Sequence, residues 1–357
     1  MGYEQRRQLI NELEVARGSR VLVYVLSERE TFPPGMPGFA TQMAGEPHLL
    51  AETLLREFDS PDKIDVFLMT RGGATESVWP LVNLLRARGN KLGVLVPFRA
   101  HSAGTLLCLG ADEIVMSDFA ELSPIDPTTG NQFNPQDPLN PTNRFGISVE
   151  DVTAYFELAK RAAGIEGEDH RLEVLKQLTG PVHPLALGNV QRVHMMIRRL
   201  ARELLGLHLE RDDAQFEHIT TTLTTTFYSH LHAISRREAQ ELLGDWVVAP
   251  SDEVSARMQR LFDAYAADLH LMDRYNLPMA IGDQAMINVR AIGGFLETAD
   301  KSYAYTTDLR VGQRPGIPPG VQVQAMPGQP LPLGPFVQRQ FDFGIQRMGW
   351  QVNADGE

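Results

Sequence analysis

The chain has 357 residues, of which 43% are hydrophobic, so it is long enough to bury a sizeable core as one large domain with appendages. Its 45 acidic and 33 basic side chains give a net charge of -12, which argues against general nucleic-acid binding and against anionic membrane surfaces. The single cysteine, Cys108, excludes an intrachain disulfide. No apolar run approaches the length of a membrane span and the N-terminus lacks a signal-peptide core, so we expect a cytoplasmic protein.

The first third of the chain alternates between predicted helices and strands. The predicted elements are helix 4–17, strand 20–27, helix 46–58, strand 63–70, helix 74–88, strand 91–97, helix 102–110 and strand 113–116. Strands that alternate with helices are typical of right-handed βαβ units. We therefore predict an α/β fold built on a parallel sheet.

The second half of the chain is predicted to be mainly helical, over about residues 148–273, after an irregular stretch at 124–145. A threonine-rich run at 220–226 costs helix propensity, and we interpret it as a polar helix face. A short strand follows at 246–249. Residues 287–297 and 302–306 predict a hairpin with a bulge or turn at Gly293 and Gly294, which closes the globular part.

The composition changes after residue 310. Half of the residues from 314 to 335 are proline or glycine, so the sequence predicts no packed helix or strand there. The aromatic segment 336–350 is suited to docking on a partner or a neighbouring subunit, with disorder as the alternative. We therefore divide the chain into a domain at residues 1–310 and an irregular Pro/Gly-rich tail at 311–357.

The candidate catalytic residues lie at two strand-to-helix corners. Ser102 lies at the start of a short apolar helix, where unpaired N–H groups and the helix dipole favour a serine nucleophile. The small residues after it, Ala103 and Gly104, leave space for a substrate. A serine at this position also commonly serves only as a helix N-cap. The preceding corner carries Gly72 and Gly73, whose backbone N–H groups can be directed at an oxyanion.

Taken in series, these motifs resemble the serine dehydrogenase proteinase family, a ClpP-class branch of the ClpP/crotonase superfamily related to signal peptide peptidase A. The similar segments are 70–73 (Thr-Arg-Gly-Gly, where relatives have Thr-Pro-Gly-Gly), 101–105, 111–115, 122–127 and 229–239. The resemblance implies a ClpP/crotonase-like fold and a serine-type endopeptidase. It also implies that Ser102 is the nucleophile and that Gly72, Gly73 and Ala103 supply the oxyanion hole.

The general base is left open by the sequence. The ClpP branch has a histidine shortly after the nucleophile, but residues 121–126 contain none. The signal-peptide-peptidase branch uses a lysine on a later helix, but the matching register at 187–198 contains no lysine. We therefore expect a histidine base, and the candidates are His194, His230 and His232. Weaker candidates are His183, Lys160 and Lys176, whereas Arg192 stays protonated and is a poor base.

Two other functions remain open. The chain is alternatively a catalytically silent member that keeps the fold as an assembly or binding module, or, less well supported, a crotonase-type acyl-CoA enzyme. No dinucleotide fingerprint and no convincing pyridoxal-phosphate lysine occurs, so we expect no cofactor, no metal and no serine dehydrogenase activity. The expected partners are a peptide or protein substrate and further copies of the chain in a homo-oligomer. The chain has no P-loop motif, so any activating or unfolding ATPase that acts with it would have to be a separate chain.

Overall fold

The computed structural model describes residues 2–126, 128–138, 143–165, 167–227, 229–316 and 338–353. Its helices are α1 Tyr3–Arg17, α2 His48–Leu55, α3 Val78–Arg86, α4 Ala103–Leu109, α5 Val149–Glu157, α6 Glu168–Thr179, α7 Pro184–Leu205, α8 Asp213–Thr221, α9 Arg236–Leu243, α10 Asp252–Asp268 and α11 Leu277–Ile281. A 3-10 turn at Thr75–Ser77 precedes α3, and π-helical turns at Leu158–Ala162 and Thr222–Thr226 continue α5 and α8.

The strands are β1 Arg20–Leu26, β2 Thr31–Phe32, β3 Lys63–Met69, β4 Lys91–Val96, β5 Arg99–Ala100, β6 Glu113–Met116, β7 Glu121–Leu122, β8 Thr128–Thr129, β9 Ile147–Ser148, β10 Ile234–Ser235, β11 Val247–Val248, β12 Tyr275–Asn276, β13 Met286–Glu297, β14 Ser302–Gly316 and β15 Gln338–Val352. Eight of them form the central sheet, in the order β11-β6-β4-β3-β1-β13-β14-β15. The strands from β11 to β1 are parallel, and β13, β14 and β15 are added antiparallel. The predicted α/β fold on a mostly parallel sheet is therefore confirmed.

Successive residues of the parallel strands enter two different cores. In β1, Leu22 and Tyr24 pack with residues of α2, α3, α4 and α7 on one face of the sheet, whereas Val21 and Val23 pack with α1 and α10 on the other. A strand that is covered on both faces has no polar side to present. This is why these segments read as continuous apolar runs in the sequence. Within the described residues, no helix is long and apolar enough to cross a membrane.

The helical region is more broken than the sequence pattern predicts. Helix α7 ends at Leu205, and Asp212 starts a separate helix by accepting hydrogen bonds from two backbone N–H groups of α8. The threonine run winds into a π-helical turn, and Thr220 and Thr224 are fully buried. Each of their hydroxyls donates to a carbonyl four residues earlier, which lets a threonine enter the core without an unsatisfied polar group. The helix face formed by the threonine run, which was expected to be polar, is therefore partly buried in the core.

The predicted hairpin is confirmed and is longer than expected. Strands β13 and β14 pair antiparallel with a β-bulge between Ile292 and Gly294. The boundary placed at residue 310 falls inside β14, and the aromatic segment pairs with β14 of its own chain as β15. Much of the Pro/Gly-rich stretch, residues 317–337, lies outside the described residues. The part of the tail that the structure describes therefore extends the sheet of the main domain.

A second bulge keeps the large apolar side chains of β15 on one face. Cα pairing joins Ile345 to Leu309 and Arg347 to Asp308, which leaves Gln346 without a partner residue on β14. The extra residue shifts the alternation, so that Ile345 and Met348 point to the same face although they are three residues apart. These two side chains are 51% and 52% exposed. The outer edge of the sheet therefore carries an exposed apolar strip.

A buried ionic cluster ties the N-terminal helix to the sheet. The guanidinium of Arg6 forms two hydrogen bonds with the carboxylate of Glu297, at 2.7 and 3.1 Å, and also pairs with Asp268. The hydroxyls of Tyr265 and Ser302 donate to the same carboxylate of Glu297. Arg6 and Glu297 are only 2% and 0% exposed, so neither charge can exchange its partner for water.

Replacing Arg6 with Met is expected to lower the free energy of unfolding by about 3–5 kcal/mol, because the buried Glu297 loses the cation that neutralises it. Urea denaturation followed by circular dichroism measures this change. The matched control is Arg260→Met, which removes an exposed pair with Glu12 and should cost less than about 1 kcal/mol. Equal losses in the two variants would contradict the role of the cluster.

Candidate active site

Ser102 occupies a strained position between β5 and α4. Its backbone has φ 51° and ψ -110°, a conformation that a residue with a side chain adopts at a cost. Its side chain forms no capping hydrogen bond, which argues against the simple N-cap interpretation. Serine on a strained strand-to-helix turn is the geometry of a nucleophile elbow. Ser102 therefore lies on the kind of turn that carries nucleophilic serines in other α/β folds.

Two buried hydroxyl groups hold this turn. The backbone N–H of Ser102 donates to Ser123 Oγ at 2.8 Å. Thr105 Oγ1 accepts from the N–H of Ser123 at 3.0 Å and lies 2.8 Å from the carbonyl oxygen of Ala100. Because Ser123 directly follows β7, these contacts fix Ser102 relative to the loop that leads to Asp126.

The predicted glycine turn lies against Ser102. A Cβ placed on Gly72 would stand 2.6 Å from Ser102 Cβ, and Gly72 has φ 98°. The N–H of Gly72 already donates to Thr70 Oγ1 at 2.9 Å. By contrast, the N–H groups of Gly73 and Ala103 make no hydrogen bond to any residue that the structure describes. The three backbone N–H groups expected to bind an oxyanion thus lie in one place, and two of them have no acceptor within the described residues.

The loop at residues 40–47 braces the glycine turn from the other side. The N–H of Met43 donates to the carbonyl of Gly72 at 2.8 Å, and the carbonyl of Met43 accepts from Ala74 at 2.9 Å.

Gly104 has a role other than leaving space for a substrate. A Cβ there would stand 2.6 Å from the methyl group of Thr70, so glycine is needed for α4 to approach the end of β3.

One of the three candidate histidines is joined to a buried acid. His230 Nδ1 lies 2.7 Å from Asp126 Oδ1, and Asp126 is 1% exposed while His230 is 38% exposed. The hydrogen bond that the His230 imidazole donates to Asp126 raises the pKa of His230, and the negative charge of Glu150 acts in the same direction, whereas burial opposes it. The pair therefore holds an imidazole whose Nδ1 is occupied and whose Nε2 is available for proton transfer.

The small sheet β10-β7-β5 brings this pair to the end of the fold where Ser102 lies. Strands β5 and β7 are parallel, so Ser102 and Ser123 follow their carboxyl ends side by side. Strand β10 is antiparallel to β7, so the segment before it, which contains His230, returns to the same end. The N–H of Ile125 also donates to the carbonyl of Leu223 in the π-helical turn, at 2.9 Å. The acid is thereby anchored from two sides.

The other two histidines have surroundings less suited to a base. His232 Nε2 lies 3.2 Å from Glu238, which already forms the capping box of α9, and its ring stacks on Phe227 at 4.5 Å. His194 is buried in α7, and its Nδ1 has no hydrogen-bond partner in the described parts of the chain. Burial, with the nearby Arg198 guanidinium, lowers the pKa of His194. Neither side chain has a dedicated orienting acid.

The weaker candidates are accounted for by local contacts. His183 caps α7 by accepting from the N–H of Leu185, and Lys176 pairs with Glu173 on an exposed face. Lys160 is exposed on the π-helical turn after α5. Arg192 lies on α7, as predicted, and donates to the side chain of Asn189.

Asp126 was absent from the predicted site residues, although it lies in a segment that carried the resemblance. The signal available was an acid shortly after β7, in the region where the ClpP branch has a histidine. Its role depends on a histidine 104 residues later in the chain. That contact is invisible to local patterns.

A strained serine at a strand-to-helix corner, faced by a glycine turn on the preceding βα unit of a mostly parallel sheet, defines a ClpP-like α/β protein. Residues 2–154 match the model of a family described as ClpP-like SDH-type serine proteinase. These residues include both corners, β7 and Asp126. The family that these residues match is the one inferred from the motifs, so the resemblance is confirmed over this part of the chain.

Two curated relatives come from Methanocaldococcus jannaschii. The uncharacterized protein MJ1495 is 32% identical over 178 residues, which cover 49% of this chain and 60% of the relative. The uncharacterized protein MJ0137 is 32% identical over 128 residues, which cover 35% of this chain and 43% of the relative. The chain thus matches less than two thirds of the length of either relative.

Proposed function

We propose that the chain is a serine peptidase in which Ser102, His230 and Asp126 act as a catalytic triad. The observation that carries this proposal is the hydrogen bond between His230 and the buried Asp126, at the end of the small sheet that also positions Ser102. Among the three candidate histidines, His230 is the one held by an acid with no competing structural role. A triad is recognised by geometry and roles, and its order in the chain differs between unrelated folds.

The acylation step follows from the protonation of the pair. His230 Nε2 takes the proton of the Ser102 hydroxyl while Oγ attacks the peptide carbonyl, and Asp126 stabilises the imidazolium that forms. The C–N bond then breaks, and His230 returns the proton to the leaving amine. A water molecule, activated by the same imidazole, releases the acid product and restores Ser102.

The charge that develops on the carbonyl oxygen requires donors that are not already engaged. In the described structure the N–H groups of Gly73 and Ala103 meet that requirement, whereas the N–H of Gly72 is engaged by Thr70. We therefore assign Gly73 and Ala103 as the oxyanion donors, with Gly72 shaping the turn. The Ser102 hydroxyl makes no hydrogen bond to a described residue, so base and nucleophile are expected to close on substrate binding.

The experiment that tests this proposal is covalent labelling with a fluorophosphonate, located by mass spectrometry. The phosphoryl adduct is expected on Ser102 and should be absent from Ser102→Ala. An adduct on another serine, or labelling that persists in Ser102→Ala, would refute the assignment. The absence of both labelling and peptide cleavage in the assembled wild-type protein would favour the silent assembly module.

The pH dependence of the labelling rate distinguishes the two candidate bases whose pKa is shifted, His230 and His194. The base must be neutral, so the rate rises as the base loses its proton. With His230 the midpoint is expected above the ordinary imidazole pKa of about 6.5, because Asp126 raises the pKa of His230. With His194 the midpoint would fall below that value, because burial lowers its pKa. A midpoint clearly below about 6 would contradict the triad.

We also propose that the chain forms a homo-oligomer through the exposed edge of β15. An unpaired edge strand with apolar side chains is a template for pairing with another chain. Light scattering is expected to give at least twice the 39.8 kDa mass of the chain. The double substitution Ile345→Lys and Met348→Lys should lower the mass to that of the monomer. The control is Val15→Lys, which changes an exposed apolar residue of α1; a monomeric wild type would contradict the proposal.

A further inference from the structure

A pocket beside the glycine turn has features that the triad does not use. It has a volume of about 380 Å³ and lies between the loop at residues 38–47, β1 and the outer strands β14 and β15. Three aromatic side chains line it: Tyr24, Tyr305 and Trp350. The ring centroid of Trp350 lies 6.5 Å from that of Tyr24 and 5.5 Å from that of Tyr305, with interplanar angles of 48° and 72°. The three rings are therefore inclined to one another rather than stacked in parallel.

The lining of the pocket carries a negative charge. Among its lining residues, Glu46 is the one charged side chain, and it is exposed at the rim. The charge of Glu46 raises the pKa of both Tyr24 and Tyr305, after the larger effect of burial, which places the carboxylate near both rings. The aromatic faces add the negative side of their quadrupoles to this charge.

Two residues that line the pocket have buried hydroxyl groups that donate to no described residue. The hydroxyl of Tyr24 lies beside the amide of Ala44 and donates to no described residue, although Tyr24 is only 2% exposed. The hydroxyl of Thr41 likewise has no hydrogen-bond partner in the ranges that the structure describes. Buried hydroxyls without partners are costly, so a ligand that hydrogen-bonds to them gains binding energy.

The pocket opens next to the proposed oxyanion donor. Gln42 lines it, and a Cβ placed on Gly73 would lie 3.0 Å from Gln42 Cβ. The next residue, Met43, holds the glycine turn through two backbone hydrogen bonds. A peptide bound at Ser102 therefore passes within a few residues of this pocket, since an extended chain rises about 3.3 Å per residue.

We propose that this pocket binds the ammonium group of a lysine side chain in the substrate, and so makes the site selective for lysine-containing peptides. An alkylammonium offers three donors, which match the Glu46 carboxylate and the acceptor capacity of the Tyr24 and Thr41 hydroxyl oxygens, while its stem lies among the aromatic rings. The inference rests on the proposed peptidase function for its biological meaning. Lysine recognition itself can be measured without catalysis.

The test measures binding of fluorescein-capped heptapeptides to the full chain carrying Ser102→Ala, by fluorescence anisotropy. Each peptide has an alanine and serine background with one lysine, placed in turn at each position. At one or two positions lysine is expected to tighten binding by about tenfold over glutamine at the same position. Adding Glu46→Gln should reduce this preference to about twofold or less.

The matched control is Glu241→Gln, which removes an exposed carboxylate of α9 outside the pocket and should leave the tenfold preference intact. No preference for lysine at any position, or a preference that survives Glu46→Gln, overturns the inference. If the wild type cleaves peptides without selectivity for lysine, the peptidase function is supported and the lysine pocket is overturned. Lysine-selective binding without any cleavage would support the pocket while the proposed catalysis fails.

Discussion

Substitution of His230 by Gln, or of Asp126 by Asn, is expected to lower the rate of fluorophosphonate labelling and of peptide cleavage by about three to four orders of magnitude. Removing the imidazole removes the acceptor for the serine proton. Replacing Asp126 with the isosteric Asn keeps the shape of the pair but favours the wrong tautomer of His230 and removes the charge that stabilises the imidazolium. The measurement is kcat/KM for a fluorogenic peptide beside the labelling rate.

The double variant adds a sharper criterion. Residues that act as one unit are not additive, so His230→Gln with Asp126→Asn should be no slower than the slower single variant. His232→Gln is the control, because His232 lies two residues away but is paired with the capping acid of α9. If His232→Gln or His194→Gln removes activity while His230→Gln retains it, the assignment of the base is wrong.

Replacing Gly72 with Ala is expected to reduce activity by at least about 100-fold and to lower the free energy of unfolding by about 1–3 kcal/mol. The new Cβ would stand 2.6 Å from Ser102 Cβ and 2.9 Å from the backbone oxygen of His101. Neither neighbour can move without shifting the nucleophile turn. The positive φ of 98° adds backbone strain for any residue with a side chain.

Gly188→Ala provides the matched control for this prediction. Gly188 lies inside α7, and a Cβ placed there meets no atom within 4 Å. Alanine has the higher helix propensity, so this variant should be unchanged or up to about 1 kcal/mol more stable. Kinetics and urea denaturation of both variants test the contrast. Full activity in Gly72→Ala would show that the glycine turn does not contact the nucleophile as the structure has it.

Local sequence patterns were sufficient for the main architecture. The strands of the parallel sheet and the helices between them were predicted to within a few residues, because the apolar runs of strands covered on both faces differ clearly from the periodicity of the intervening helices. The same patterns placed Ser102 and the Gly72–Gly73 turn at the ends of neighbouring strands. The carboxyl ends of parallel strands meet at one edge of the sheet, so the order of the strands was enough to bring Ser102 and the glycine turn together.

Local patterns failed where a feature depends on two distant segments. The tail was divided from the main domain at residue 310 because its Pro/Gly content dominates the composition. The structure instead continues β14 through that boundary and adds β15 beyond it. A bulge at Gln346 keeps the large apolar side chains of β15 on one face of the sheet. A search of the sequence for apolar residues at every second position does not find this face.

The sequence by itself determined the α/β architecture, the strand-to-helix corner of Ser102 and the glycine turn beside it, since each depends on residues close together in the chain. It favoured a histidine over a lysine as the general base without selecting one. Tertiary structure alone paired His230 with Asp126, because that contact joins residues 104 apart through a small sheet of two-residue strands. Strands of two residues are too short to give a recognisable pattern in the sequence. Which acid lies beside which imidazole is therefore determined by the packing of these segments in the folded protein.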